Sequence, residues 1–196
     1  MNLILATRNP SKREQVQVSF AGSRYSILSL DDIGVKGEAI EDGKSLEENA
    51  AKKAWFVHDQ QPHLWTMADD TGLFIKGLGG EPGIYPARWA GEGAETSKIT
   101  DYCLKRMGGL LDRSATFKAV VVVVSPSGEQ YAFEGEVQGS MLKAPRVPPQ
   151  SKMPYSALFV PIGDTRSWAE MSTEEENAVS HRGETFRKVR TFLDQQ

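Results

Sequence analysis

Asp69 and Asp70 stand side by side in ADDTGLFIKGLGGEPGIYPARWAG, residues 68–91, directly after the apolar run Leu64–Ala68. In an extended segment neighbouring side chains point to opposite faces, so only one of the two carboxylates looks into a given cleft. Two acids at the end of a buried strand suit a hard cation such as Mg²⁺, which takes oxygen ligands and usually only one or two protein carboxylates beside substrate phosphates. Thr71-Gly72 is expected to break the strand. The tail GLGGEPGIYPARWAG holds five glycines and two prolines in fifteen residues, a density that fixes loop shape and lets backbone approach a ligand. The same residues also read as a strand, an acid-capped turn and a glycine-rich surface loop without chemistry.

A second group is Thr7, Arg8, Asn9 and Lys12. A strand over Asn2–Thr7 feeds a helix capped by Asn9 or Ser11, with Pro10 tolerated in the first turn and Gly22 as the stop. Free N–H groups and the helix dipole at such a junction favour anions, which makes it a candidate phosphate cradle. Taken alone, Lys12 equally reads as a solvated surface lysine. Near the carboxyl end, Ser180-His181-Arg182 opens the last helix and offers donors to a group bearing carbonyl oxygens, although Ser180 can also serve simply as a cap.

These groups need a scaffold. Tyr25–Leu30 reads as a second strand, and Ser45-Leu46-Glu47-Glu48 has capping-box spacing for a helix to about His58. Glu48 then has a structural task, while Glu41, in the loop before, has none. Ser97–Met107 reads as a helix capped by Ser97, with Ile99, Cys103 and Met107 on one face. Thr116–Ser125 and Gln130–Met141 form a β-hairpin, and the run Val120–Val124 suggests a strand covered on both faces. Lys143–Lys152 is a proline-rich loop, Ala157–Pro161 a short strand, and Phe186, Val189, Phe192 and Leu193 the inner face of the last helix. The three histidines have no metal-site spacing, and neither a GxSxG elbow nor a Walker-type loop is present.

Composition sets the outer bounds. A chain of 196 residues with 39% apolar content is one domain, 1–196, with room for a sizeable core. A net charge of −3 argues against nucleic acid or an anionic membrane as the main partner. One cysteine excludes an intrachain disulfide and fits a reducing compartment. Asn2–Ala6 is too short for a secretory core, and Ala119–Val124, the longest apolar run, is far short of a membrane span. A cytoplasmic location is the expectation.

The segment ADDTGL…LGGEPGIYPARWAG resembles the ADDSGL…LGGxPGxYSARxAG signature of the inosine/xanthosine triphosphate pyrophosphatase (Ham1-type) family. LATRNPSK resembles its ATxNxxK and SHRGETFRKV its SHRGxALxxL, in the same order and nearly end to end. The resemblance implies an α/β, ITPase-like (Ham1/Maf-type) fold: a long central mixed sheet, flanking helices, and two lobes around a cleft. It implies Mg²⁺-dependent hydrolysis of a nucleoside triphosphate to the monophosphate and pyrophosphate, by a homodimer to which exposed aromatics such as Trp89 contribute. Asp70 aligns with the proton-accepting and metal-binding acid, Asp69 with its neighbour, and Glu41 falls where an acidic metal ligand is placed. Thr71 keeps the hydroxyl of the usual serine. Lys12 and Lys53 fall on lysines that face the phosphates, with Thr7, Arg8 and Asn9 around the first, while His181 and Arg182 match the base-contacting pair.

The departures lie at the base end. Where the family carries GFGYDPxF, this chain has Lys152-Met153-Pro154-Tyr155-Ser156-Ala157-Leu158-Phe159. Tyr155 and Phe159 align, but Met153 replaces the stacking aromatic and Ser156 the base-reading aspartate. The lysine expected four residues before Ser180 is Glu176. Lysine donates to a keto oxygen whereas glutamate accepts from an amino or ring N–H group, so an altered base preference is expected. A nucleotide-binding protein without turnover is the competing expectation, motivated by the replaced base-reading residues.

Overall fold

The computed structural model describes residues 1–196. Its centre is a mixed seven-stranded sheet, in line with the expected α/β class. The strands are β1 (Asn2–Leu5), β2 (Ser26–Leu28), β3 (Trp65–Ile75), β4 (Pro82–Gly83), β5 (Ser114–Val124), β6 (Gln130–Met141) and β7 (Phe159–Pro161). They pair in the order β2-β1-β3-β5-β6-β7, with β4 set against β3. β1 runs parallel to both β2 and β3, and the remaining pairs are antiparallel. Five helices flank the sheet: α1 (Pro10–Ser19), α2 (Leu46–His58), α3 (Thr96–Arg106), α4 (Thr173–Val179) and α5 (His181–Leu193). No helix is long and apolar enough to cross a membrane.

Period-two alternation divides the core. Ile4, Ala68, Val120, Val122 and Val124 face α2, while Leu3, Leu5, Met67, Val121 and Val123 face α1 and α5. All of Val120–Val124 is therefore buried, as a strand covered on both faces requires. Further along, Leu73, Ile75 and Phe117 pack with α3, Phe159 and Trp168 in a third cluster that contains Cys103, Ile99 and Met107. Cys103 is core, as its helical spacing suggested.

Several local expectations are corrected. β3 does not end at the acids; it runs on through Thr71-Gly72 to Ile75, and β5 pairs with it along Thr66–Ile75. The strand survives Thr71-Gly72 because that ladder continues across both residues, with Gly83 O close beside Gly72. α3 begins at Thr96, and its N-cap residue Glu95 makes no side-chain cap, so Ser97 is not the cap. Trp89 is not a free exposed aromatic: it meets Tyr102 edge-on at 5.3 Å, lies under Arg106 and donates to Glu81. α4 had no counterpart in the sequence reading. It is closed by a capping box in which Ser172 and Glu175 serve each other's backbone N–H.

Candidate active site

β1 supports one edge of β3 only at Trp65–Met67, and β4 supports that strand only at Leu73–Phe74. Asp69 and Asp70 fall in the interval between. Here a residue on either face of the sheet can reach the same opening. Alternation sends the two acids apart: Asp70 goes with Ala68 toward α2, and Asp69 goes with Met67 toward α1 and α5.

On the α2 side, Asp70 Oδ1 accepts from Lys53 Nζ at 2.8 Å and Oδ2 from Asn49 Nδ2 at 3.3 Å. Asn49 and Lys53 are four residues apart and share a face of α2, which Ser45 starts by accepting from Glu48 N. Lys53 also reaches Glu41 Oε2 at 3.3 Å, so one ammonium bridges two carboxylates. Burial pushes the Asp70 carboxyl up and outweighs the lysines that draw it down. For Lys53, burial acts downward but Asp70, Asp69 and Glu41 prevail, and its ammonium is held above the ordinary value.

On the other side, Asp69 Oδ2 accepts from Lys12 Nζ at 2.8 Å and Arg182 Nε at 3.2 Å. Burial raises its carboxyl, but Lys12, Arg182 and Lys53 overcome that and hold it far below the usual carboxylate range. Oδ1 of Asp69 is buried without a partner. Arg182 extends the network by donating to Thr71 Oγ1 at 3.1 Å.

Asp70, Thr71, Lys12, Lys53, Glu41 and Arg182 line one cavity of about 330 Å³, within the usual size of small-molecule sites. Asp69 does not line it and touches the cavity only through Lys12 and Arg182. Thr7, Arg8 and Asn9 line the same cavity, yet their polar groups are largely spent within the protein. Thr7 Oγ1 accepts from Asn9 N. Arg8 is held by Asp31 and the Val35 carbonyl. Asn9 Oδ1 caps Ser11 N and Lys12 N, and its amide donates to Lys152 O. With Pro10 lacking an N–H, the free amides expected at the start of α1 are not there; the positive charge at this end comes from side chains.

The far end of the cavity is aromatic and incompletely satisfied. The His181 ring packs against both Phe117 and Trp168, with centroids at 5.1 and 5.2 Å, and those two rings also meet each other at 4.8 Å. Both its nitrogens and the Trp168 indole nitrogen are buried without partners. Burial first, and Arg182 second, push the His181 imidazole well below its ordinary value, so it is neutral. Tyr155 lines the cavity with its hydroxyl donating to Pro86 O at 2.7 Å. Ser156 is occupied: its hydroxyl accepts from Gln150 N and donates to Met153 O, folding the proline-rich loop. Glu176, on α4, accepts from Gln15 Nε2 at 2.7 Å and Gln150 Nε2 at 3.0 Å. Ser180 caps α5 through Gly183 N. Gly183 is required because a Cβ there would run into the Asn177 carbonyl, so the close join of α4 to α5 positions Glu176, His181 and Arg182 together.

Asn49 and Gln15 escaped the sequence reading although their spacing from Lys53 and Lys12 places each on the face of its lysine. Trp168 starts a single 3-10 turn and Gln150 lies in a loop, both too short for periodicity to mark them.

The model of the Ham1 family matches residues 3–192. The chain is 36% identical over 195 residues to the dITP/XTP pyrophosphatase of Thermoanaerobacter pseudethanolicus, covering 98% of this chain and 96% of the relative. It is 38% identical over 194 residues to that of Desulfotalea psychrophila, covering 98% and 85%. The solved structure of a HAM1 protein from Coxiella burnetii superposes with a TM-score of 0.85 at 27% identity over the whole of both chains.

Proposed function

The chain belongs to the Ham1 family, and on that premise we propose that it hydrolyses a nucleoside triphosphate to the monophosphate and pyrophosphate, acting on non-standard nucleotides. The observation that carries this reading is the convergence of Lys12, Lys53 and Asp70 on one cavity that Phe117, Trp168, His181 and Arg182 also line. Cations at one end suit a polyphosphate; stacked rings and unpartnered polar atoms at the other suit a base.

The donor set fits Mg²⁺. Glu41 and Asp70 already share a cation, the ammonium of Lys53, and both are oxygen donors at the cavity wall. Mg²⁺ takes one or two protein carboxylates and completes its shell with waters and substrate. Asp70 and Glu41 would hold it, and when bound it would neutralise charge on the phosphates. Lys12 and Lys53 grip phosphate oxygens as point charges. Asp70 orients a water and accepts its proton; the water oxygen bonds to phosphorus, the α–β anhydride bond breaks, and pyrophosphate leaves. Asp69 serves this reaction by fixing Lys12 and Arg182 in place. The whole chain, 1–196, acts as one domain, and we assign it a cytoplasmic location and a homodimeric state.

The test is pyrophosphate release over a panel of standard, deaminated and modified triphosphates with Mg²⁺. We expect Asp70→Asn to lower the rate by about 10²–10⁴-fold, the range for loss of a positioned base. A panel without turnover, or an unaffected Asp70→Asn rate, sinks the reading. Calorimetric binding of the Mg²⁺-nucleotide without product would instead favour a protein that binds and does not turn over.

A further inference from the structure

Glu176 is a carboxylate that the proposed reaction does not use. It is 2% exposed, lies on α4 and lines the same cavity as Trp168, His181 and Gln150. It forms no ion pair: burial pushes its carboxyl above the ordinary value, opposed by Gln150 and, at a distance, by Arg182, whose guanidinium donates to Asp69, Thr71 and Gln15. Its partners are two side-chain amides, Gln15 on one oxygen and Gln150 on the other. An ionised carboxylate offers about four acceptor positions, so two of them are left.

A buried charge short of donors is costly, and the site gains most from a ligand that completes it. The neighbouring Oε1 of Gln150 is a second buried acceptor without a donor. Opposite in character are the Trp168 indole N–H and the neutral His181, which lack partners and can meet a carbonyl or ring nitrogen. This end of the cavity thus asks for two adjacent N–H donors beside a carbonyl.

Resting on the hydrolase reading above, we propose that, among the non-standard nucleotides it covers, Glu176 makes this site select bases that carry a ring N–H next to an exocyclic amino group, the 2-amino-6-oxo edge that a modified guanine shares with guanine itself, over keto purines lacking that amino group. Hypoxanthine offers the carboxylate one N–H and a C–H. Xanthine sets a carbonyl oxygen against it. Hydrogen bonds to a charged group contribute ~1.5–3 kcal/mol each, or about 10–100-fold in selectivity.

The experiment measures kcat/KM for dGTP, dITP and XTP with Mg²⁺, and in parallel the calorimetric binding of GMP, IMP and XMP, on the wild type, Glu176→Gln and Glu176→Lys. The wild type is expected to favour the amino-bearing base by about tenfold or more over hypoxanthine, with xanthine last, in both measurements. Glu176→Lys should reverse the order, and Glu176→Gln should flatten it; near-ultraviolet circular dichroism checks that each variant is folded. Hydrolysis with equal or better use of dITP or XTP by the wild type overturns the inference while leaving the hydrolase reading intact. Preferential GMP binding without any turnover does the reverse. The wild-type order alone decides the matter if a variant does not fold.

Discussion

Lys53 Nζ lies 2.8 Å from Asp70 Oδ1 and spans to Glu41 at 3.3 Å, so the two oxygens best placed for a divalent ion are bridged by a lysine. At the proposed metal site that ammonium and a divalent ion would compete for the same carboxylates. Replacing Lys53 by Met should therefore tighten binding of Mg²⁺ to the nucleotide-free protein by about tenfold, ~1.4 kcal/mol, while weakening the triphosphate. Calorimetric titration with Mg²⁺ reads the first effect; unchanged or weaker metal binding in the variant speaks against a shared site.

Lys12 and Lys52 provide a contrast of buried and surface charge. Lys12 is paired with the buried Asp69, whereas Lys52 pairs with the exposed Asp42. Lys12→Met should raise KM for the nucleotide by about 10–100-fold, as loss of a bond to a charged oxygen implies. Lys52→Ala should leave KM within about twofold, in line with the small worth of surface ion pairs. Steady-state kinetics compares the two, and equal effects would remove Lys12 from the phosphate end.

Asp69 answers a different question. It neutralises Lys12 and Arg182 inside the protein, so Asp69→Asn leaves two cations short of their counter-charge. The unfolding free energy should drop by about 3–5 kcal/mol, seen as a lower urea midpoint. Adding Lys12→Met to that variant should recover part of the loss, because the sites are coupled. Additive losses in the double-mutant cycle would show the pair to be independent.

His181 predicts the pH dependence. In an unfolded chain its imidazole titrates near 6.5; in the fold, burial and Arg182 keep it neutral well below that, with Asp69 opposing and Lys12 adding to the effect. A depressed folded value means stability present in full above about pH 6.5 and lost as pH falls toward the folded value. Between pH 7 and 5 the unfolding free energy should fall by up to ~1.4 kcal/mol per pH unit from this residue. His181→Phe, which suits the stack with Phe117 and Trp168, should flatten that slope in chemical denaturation. Parallel slopes for the two proteins would count against the assignment.

The sequence alone carried much of this. The apolar strand runs located the hairpin, the spacing of Phe186, Val189, Phe192 and Leu193 located the last helix, and the Ser45 capping spacing located α2 through His58. The motifs around Asp69-Asp70, Lys12 and His181-Arg182 pointed to a nucleotide hydrolase, because they are local strings whose residue types persist wherever the chain runs. Only tertiary structure decided which acid faces the cavity. That depends on where β1 ends beside β3 and on which helix covers each face, and neither is written in the acidic pair itself. It also decided that Asn9 spends the helix-start amides, that Ser156 is used up inside its loop, and that Glu176 stands between Gln15 and Gln150. Those partners lie 161 and 26 positions from Glu176; no local pattern brings such side chains together, and only the packing of α1, α4 and the proline-rich loop around one cavity does.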